Sequence, residues 1–338
     1  MRILPILCVL MLTAVMFAMT PEARRSFEAF EQRAEAGDPE ALYRLSAILE
    51  RGFDTIAPDT NRSVTLLRRS AAAGYGPALN YLGYLYQKGE LLEANRDSAI
   101  HYIRMAAETG DPTAAHNLAF MLFESPEISV SDSALVKKAL SYLHQAADAG
   151  LPQAQSLLGD IYSGAVQSLP EGIVLRDTAK AIALYEEAIA RGFNDAELRL
   201  LNMMGPEWQR LDSETALEKA LHYWHLGAPT IAVELLHLIG PSEPQTARAY
   251  AMLGHAYSRG LGAPYDHHKA NEYFANAALL GNPSAQFIIA ETLEIFPDAF
   301  RDLLPDVDVP FDASTLREEA EKAGITSAEE ATEAIFGK

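Results

Sequence analysis

Apolar side chains recur in steps of four residues along most of the chain, and each such stretch begins just after a glycine. Steps of four place side chains on one face of an α-helix. The glycines of this register are Gly37, Gly74, Gly110, Gly150, Gly192 and Gly281. Four residues later stand Ala41, Ala78, Ala114, Ala154, Ala196 and Ala285, and four further on Leu45, Leu82, Leu118, Leu158, Leu200 and Ile289. The pattern therefore predicts a helix with one packed face after each of these glycines.

A second helical stretch precedes each glycine and ends in alanines, as in "HYIRMAAETG", which finishes at Gly110. Glycine suits the left-handed C-cap of that helix, and a proline two residues on suits the first turn of the next. Such prolines are Pro39, Pro112, Pro152 and Pro283. One hairpin cannot bury its apolar face alone. We therefore predict an all-α fold, an α/α superhelical solenoid of about seven antiparallel helical hairpins.

The residue after the core leucine is small in most repeats, and in two of them it is a glycine, Gly83 or Gly159. A glycine in the middle of a helix costs about 1 kcal/mol relative to alanine. We predict that a neighbouring helix crosses closely at these points and leaves no room for a side chain; the alternative is that the glycine is merely tolerated.

Two segments, "ALNYLGYLYQKGE" (78–90) and "AYAMLGHAYSRGLGAPYDHHKANEYFANAALLG" (249–281), carry a recognisable repeat signature. They resemble the Sel-one-like repeat, a relative of the tetratricopeptide repeat. The resemblance implies an α/α superhelix that acts as an interaction scaffold, often in bacterial envelopes or the secretory pathway. Some exported members carry a disulfide in each repeat, whereas the single cysteine of this chain is Cys8, outside the repeats.

The order of segments predicts three regions. Residues 1–21 contain the apolar stretch Ile3–Met19 and form a signal peptide or a membrane anchor. Residues 22–296 form the repeat solenoid, with a break in the register near 227–246. Export of the body is the expected orientation, which gives a periplasmic or secretory location with a possible tether at residues 3–19.

Residues 297–338 are predicted to form an acidic C-terminal tail with short helices. Asp302–Pro310 is rich in proline and aspartate and is expected to be extended. Beyond it, Ser314–Ala323 and Ser327–Phe336 have the pattern of short polar helices. Ser327 and Glu330 stand at the spacing of a capping box.

Charge limits the class of partner. The chain has 27 Lys+Arg against 46 Asp+Glu, a net charge of -19. Such a surface repels nucleic acid and anionic membranes. We expect a protein or peptide partner, no nucleic acid, and membrane contact only through the N-terminal segment if it is not cleaved.

Motifs for catalysis are missing from the sequence: it has no phosphate-binding glycine loop, no nucleophile elbow and no His-Glu-x-x-His. His222 and His225, with His237 as a possible third member, are the best candidates for a metal site, but they lack a nearby carboxylate. His267 and His268 are interpreted as solvated turn residues. The prediction is therefore a protein that is not an enzyme, with no metal and no cofactor.

The first helix of each repeat offers candidate residues for a partner-binding surface. Counted from the alanine of each first helix, positions plus two, plus six and plus nine face away from the packed side, toward the concave face of a solenoid of this type. In three successive repeats these positions hold Asn80, Tyr84 and Gln87, then His116, Phe120 and Phe123, then Ser156, Asp160 and Ser163. Aromatic side chains flanked by polar ones suit the recognition of a peptide. The alternative is that the helix phase is off by one and these are packing residues.

The sequence as a whole predicts a non-catalytic scaffold that binds a protein or peptide on its concave face. Two other functions remain open: an envelope enzyme or carbohydrate-acting factor, and an assembly or regulatory subunit of a membrane complex. A concave cluster of carboxylates or histidines with perturbed protonation would favour an enzyme. Aromatic and amide ladders would favour a scaffold.

Overall fold

The computed structural model describes residues 21–53, 56–123, 133–166, 169, 174–296, 300 and 312–337. Within these ranges the secondary structure is helical, apart from one isolated bridge between Phe53 and Ile56. The predicted all-α class of stacked α/α hairpins is confirmed. The chain divides into two compact units, Met1–Arg176 and Asp177–Lys338.

The first unit contains eight helices among its described residues, and each packs on the next along the chain. They are α1 (Pro21–Glu35), α2 (Pro39–Arg51), α3 (Thr60–Ala72), α4 (Gly76–Lys88), α5 (Arg96–Glu108), α6 (Pro112–Phe123), α7 (Ser133–Asp148) and α8 (Pro152–Ser163). Buried alanines and leucines such as Ala78, Leu82, Ala114 and Leu118 form the contacts between them.

The second unit contains nine helices in the part of the chain that is described. They are α9 (Thr178–Ala190), α10 (Asp195–Trp208), α11 (Ser213–Leu226), α12 (Pro229–Leu236), α13 (Thr246–Arg259), α14 (His267–Leu279), α15 (Pro283–Ile295), α16 (Ala313–Lys322) and α17 (Ala328–Phe336). The last two pack on α15, and α17 also contacts α13.

Seven hairpins in the described ranges turn at a glycine in the left-handed region, with φ between 80° and 91°. The turns are two to four residues long, whereas the connections that follow the second helix of each hairpin vary from four to seventeen residues. Several turns contain an acid or amide between the glycine and the proline. Asp38, Asp111 and Asn282 accept a hydrogen bond from the backbone N–H three residues on, which caps the next helix.

Gly227 is the seventh of these turn glycines and does not fit the alanine pattern, because Ile231 stands four residues later. It lies 35 residues after Gly192, so the repeat register continues through α11 and into α12. The regular order ends after Leu236, because α13 follows without a second helix between. At eight residues, α12 is the shortest helix described.

A side chain from α10 caps this short helix. The residue at the N-cap of α12, Ala228, has no side chain that could accept a hydrogen bond. Instead Glu197, which is 6% exposed, accepts from the backbone N–H of Ile231 at 2.9 Å. The first N–H groups of a helix lack partners within it, so the Glu197 carboxyl replaces the missing cap.

Substituting Glu197 by alanine is expected to lower the free energy of unfolding by about 1–3 kcal/mol, because the Ile231 N–H is left buried without an acceptor. Glu197→Gln keeps an acceptor oxygen at the same distance along the side chain, so the free energy of unfolding should fall by less. Denaturant titration followed by circular dichroism measures both variants. Equal stability of Glu197→Ala and the parent would contradict a capping role.

The close approach predicted at the mid-helix glycines is present at Gly83. A Cβ built there would collide with Cγ1 of Ile103 and lie 3.0 Å from the carbonyl oxygen of Ala99, both on α5. Gly254 on α13 is in the same situation, because an added Cβ would lie 2.7 Å from Cδ1 of Phe274 on α14. Gly159, the other glycine of the prediction, is buried in α8.

The acidic C-terminal region contributes to the core of the second unit. Phe287 of α15 forms a buried cluster with Ala320, Ile325 and Ala331. The predicted capping pair is in contact: Ser327 Oγ accepts from the N–H of Glu330 at 3.1 Å. The Glu330 carboxylate accepts from the N–H of Thr326 at 2.7 Å, and the backbone of Ser327 also contributes to the lowered pKa of Glu330.

Three predictions fall on residues outside the described ranges: the apolar segment Ile3–Met19, Cys8 within it, and the extended stretch Asp302–Pro310. None of the helices in the described ranges combines the length and the apolar character needed to cross a bilayer.

Candidate functional site

A groove of about 850 Å³ lies on the first unit, where α2, α4 and α6 present residues to the same side. Asn80 and Tyr84 of α4, both predicted to belong to a partner surface, line it together with Tyr43 of α2 and Asn117 of α6. The repeat places these side chains together because equivalent turns set successive first helices side by side.

Tyrosines form one wall of the groove. The ring of Tyr81 stacks on that of Tyr84, with centroids 5.9 Å apart and planes 12° apart, and meets Tyr43 edge-on at 6.4 Å. The Tyr81 hydroxyl donates to Oε1 of Glu50 at 2.5 Å. Burial and the hydrogen bond to Glu50 raise the pKa of Tyr81, so its phenol stays a donor. Tyr84 remains 40% exposed, which leaves an aromatic surface for a partner.

An amide pair joins α4 to α6 across the groove. Nδ2 of Asn117 donates to Oδ1 of Asn80 at 3.2 Å. An asparagine side chain carries both donors and an acceptor, so each amide has a further group with which to bond a peptide backbone. Tyrosines beside paired amides match the arrangement expected of a scaffold.

The groove is also acidic. Of the described residues that line it, Glu50, Glu90 and Asp111 carry carboxylates and Arg51 carries a guanidinium. The Nζ of Lys88 lies 5.7 Å from the centroid of the Tyr84 ring, so this ring already accepts one cation. These lining residues therefore carry a net negative charge.

The other seven predicted surface residues divide into three groups: exposed, partly buried and buried. Gln87 and Phe120 are exposed, the latter by 44%, while His116 and Phe123 are partly buried. Burial lowers the pKa of His116, and its Nδ1 has no hydrogen-bond partner among the described residues.

Ser156, Asp160 and Ser163, on α8, are all buried, so the structure does not place them on an open surface. Eight of the twelve residues of α8 are buried, on both sides of the helix. Positions plus two, plus six and plus nine are exposed only where the side of the helix opposite the packed alanines and leucines is open. On α8 that side is buried as well.

Sequence reasoning missed Tyr43, Tyr81 and Asn117. Tyr43 stands at plus two from Ala41, in a repeat to which the counting was not applied. Tyr81 and Asn117 stand at plus three, one position away from the counted stripe. Applying the same count to α2 would have found Tyr43.

The three histidines considered for a metal have separate environments. His222 Nε2 lies 3.4 Å from Oε1 of Glu186, His225 Nε2 lies 3.3 Å from the carbonyl oxygen of Phe336, and His237 Nε2 lies 3.4 Å from the hydroxyl of Tyr273. Within the part of the chain that is described, no group of three or more His, Cys, Asp and Glu could hold a metal ion.

Glu186 contacts both His222 and Tyr223. Its Oε1 accepts from the Tyr223 hydroxyl at 3.1 Å beside a pocket of about 310 Å³. Burial and the Glu186 charge raise the pKa of Tyr223, which keeps the phenol protonated and unsuited to act as a base. His267 and His268 are exposed as expected, but they begin α14 instead of lying in the turn before it.

A family model described as the Sel1 repeat matches residues 39–75, 76–111, 112–151, 152–193 and 247–282, which together make up more than half of the chain. The gap between the last two matches contains α10, α11 and α12, where Ile231 replaces the usual alanine and Glu197 supplies the cap.

Among curated proteins, the chain is 27% identical over 260 residues to an uncharacterized protein of Neisseria meningitidis serogroup B, covering 73% of this chain and 52% of the relative. It is 24% identical over 266 residues to chitin synthase regulatory factor 3 of Schizosaccharomyces pombe, covering 78% and 26%. The chain thus spans about half the length of the first relative and about a quarter of the second.

Among solved structures, a protective antigen of uropathogenic Escherichia coli with an SLR fold aligns with a TM-score of 0.46 at 22% identity, covering 91% of this chain and 58% of that one. A Sel1 repeat protein of Oxalobacter formigenes aligns with a TM-score of 0.42 at 18% identity, covering 90% and 88%.

Proposed function

Because the chain belongs to the Sel1 repeat family, we propose that it is a non-catalytic scaffold that holds a protein partner by a segment bound in the groove of the first unit. Repeats of this family suggest protein partners in general, and they typically form scaffolds without enzymatic activity. The groove is the location that we propose for that general role in this chain.

The observation that carries the proposal is the combination of an exposed tyrosine wall and an amide pair on the same groove. The Asn80 and Asn117 amides offer hydrogen bonds to a peptide backbone, which are independent of sequence. Tyr84 offers an aromatic surface, and negative charge comes from Glu50, Glu90 and Asp111. These two features would select the side chains of the bound segment. The segment that fits is extended and contains at least one lysine or arginine.

We expect Tyr84→Ala to weaken binding of such a segment about tenfold or more, because exposed aromatic anchors carry much of the affinity of an interface. Asn117→Ala should weaken it as well, since it removes one member of the amide pair. A displayed peptide library selected on the parent protein supplies the ligands, and calorimetry measures their Kd with each variant.

Tyr265→Ala is the matched control, because Tyr265 is a 68%-exposed tyrosine in the second unit. It should bind every selected peptide as the parent does. Peptides whose Kd is the same for Tyr84→Ala, Asn117→Ala and the parent would show that the groove is not their binding site and would refute the proposal.

A regulatory role is the second candidate function, and the relatives named as chitin synthase regulators are its support. A scaffold that binds a segment of an enzyme could recruit or restrain that enzyme. The peptides selected on the groove would then match a segment of a membrane-associated enzyme instead of a structural protein.

We also propose that the repeat body is exported and that Ile3–Met19 is its signal peptide or anchor. The support is the apolar sequence of that segment alone. A compartment-sensitive reporter fused after Lys338 tests the location. Reporter activity confined to the cytoplasm would overturn the proposal.

A further inference from the structure

The carboxyl end of α17 is held by aromatic rings from two other helices. The Phe336 ring stacks on that of Trp224 of α11, with centroids 4.3 Å apart and planes 13° apart. The His255 ring of α13 meets Phe336 edge-on at 5.0 Å. Phe336 is 8% exposed, so the contact buries nearly the whole ring.

The same end is also held through its backbone. Nε of Arg248 donates to the carbonyl oxygen of Ile335 at 2.8 Å, and Nε2 of His225 lies 3.3 Å from that of Phe336. The last carbonyl groups of a helix have no partners within it, and a positive charge is favourable there. These contacts are selective for the carboxyl end of a helix as well as for an aromatic side chain.

The repeat register relates this contact to the predicted partner surface. His255 stands six residues after Ala249, the position that holds Tyr84 in α4 and Phe120 in α6. The face predicted to bind a partner is therefore occupied, in the second unit, by a segment of the chain itself.

Short length and sparse packing make α17 suitable for exchange. It has nine residues, fewer than an isolated helix needs to be stable in water. Ala331, Ile335 and Phe336 are its buried side chains, whereas α13 buries nine. Helices with few buried contacts open at low cost while the rest of a fold stays intact.

We propose that Trp224, His225, Arg248 and His255 form a recognition site for the carboxyl end of a helix that finishes in a large aromatic residue. In this proposal α17 is an internal ligand, and a partner helix of the same chemistry replaces it. The site is separate from the groove of the first unit and does not depend on the function proposed for that groove.

The test uses the full chain with Phe336→Ala and two peptides with the sequence of residues 326–338, one native and one with Phe336→Ala. The Phe336→Ala protein should bind the native peptide at least tenfold more tightly than the Phe336→Ala peptide. The parent should bind the native peptide at least tenfold more weakly than the variant does, because its tethered α17 competes at a high effective concentration. Trp224, one of two tryptophans in the chain, provides the fluorescence signal.

Phe296→Ala is the matched control, because Phe296 is a 63%-exposed phenylalanine of the same unit. It should behave as the parent. A folded Phe336→Ala variant that binds both peptides equally, or neither, would overturn the proposal. Adding Tyr84→Ala to the Phe336→Ala variant should leave peptide binding unchanged, so failure of the groove and failure of this site are distinguishable.

Hydrogen exchange on the parent protein tests the same idea without a substitution, and applies even if Phe336→Ala does not fold. The amides of α17 should exchange through local opening, at least tenfold faster than the most protected amides of α13. If both helices exchange only together, α17 is a permanent part of the fold and the proposal is wrong.

Discussion

Replacing Gly83 by leucine is expected to lower the free energy of unfolding by about 1–3 kcal/mol, the usual effect of overfilling a packed core. The first side-chain atom already meets Cγ1 of Ile103 and the carbonyl oxygen of Ala99. Ile103 is 1% exposed and cannot move outward, and Ala99 O belongs to the backbone of α5. Both helices would have to shift to admit the leucine.

Gly83→Ala should also destabilise the protein, although alanine is the better helix former by about 1 kcal/mol. A gain in stability would show that the helices can separate at low cost. Gln87→Leu is the matched control, because Gln87 is exposed in the last turn of α4 and its substitution should change stability by less than about 0.5 kcal/mol. Denaturant titration measures all three, and a Gly83→Leu protein as stable as the parent would refute the close crossing.

Acidification from pH 7 to pH 4 is expected to cost about 3 kcal/mol of stability through His255 alone. Burial, with a smaller contribution from the Arg259 charge, lowers the pKa of His255 to about 4. An unfolded histidine titrates near 6.5, so between these two values the unfolded chain binds a proton that the folded protein does not. Well above pH 6.5 the histidine is neutral in both states and adds no pH dependence.

His255→Gln isolates this contribution because glutamine does not titrate. The pKa values of His116 and His237 are also lowered by burial, and both residues remain in the variant. The stability of the parent should therefore fall more steeply than that of the variant, by about 1.4 kcal/mol per pH unit in the middle of the window. Thermal or denaturant unfolding at several pH values measures the slopes. Parallel slopes would mean that His255 is not held neutral against Phe336 and Trp224.

Local features of the chain were the most predictable. A glycine followed two residues later by proline specifies a left-handed C-cap and a helix start, and this depends on the backbone of a few neighbouring residues. Six turns were identified from a glycine with an alanine four residues later, and four of these six also have the proline. Gly227 was missed because Ile231 replaces the alanine. The helices at Ala313–Lys322 and Ala328–Phe336 were likewise predictable from their own sequences.

The candidate sites were less predictable because they depend on contacts between distant segments. Asn80 and Tyr84 could be identified from one helix, but Asn117 belongs to the groove only because α6 lies beside α4. Phe336 and Trp224 are more than one hundred residues apart in the chain, and no periodicity links them. Ser156, Asp160 and Ser163 obey the register of an exposed face, yet α8 is covered on both sides.

The difference between the short glycine turns and the longer connections gives the hairpins two unlike edges. The turns at one edge stay within two to four residues, and each passes through a glycine with φ between 80° and 91°, so they tolerate little change in length. The connections at the opposite edge already range from four to seventeen residues, so they can accept further insertions at low cost. During evolution, length variation should accumulate at that edge, and a protein engineer could graft an affinity tag or a protease site there without altering the helix stack.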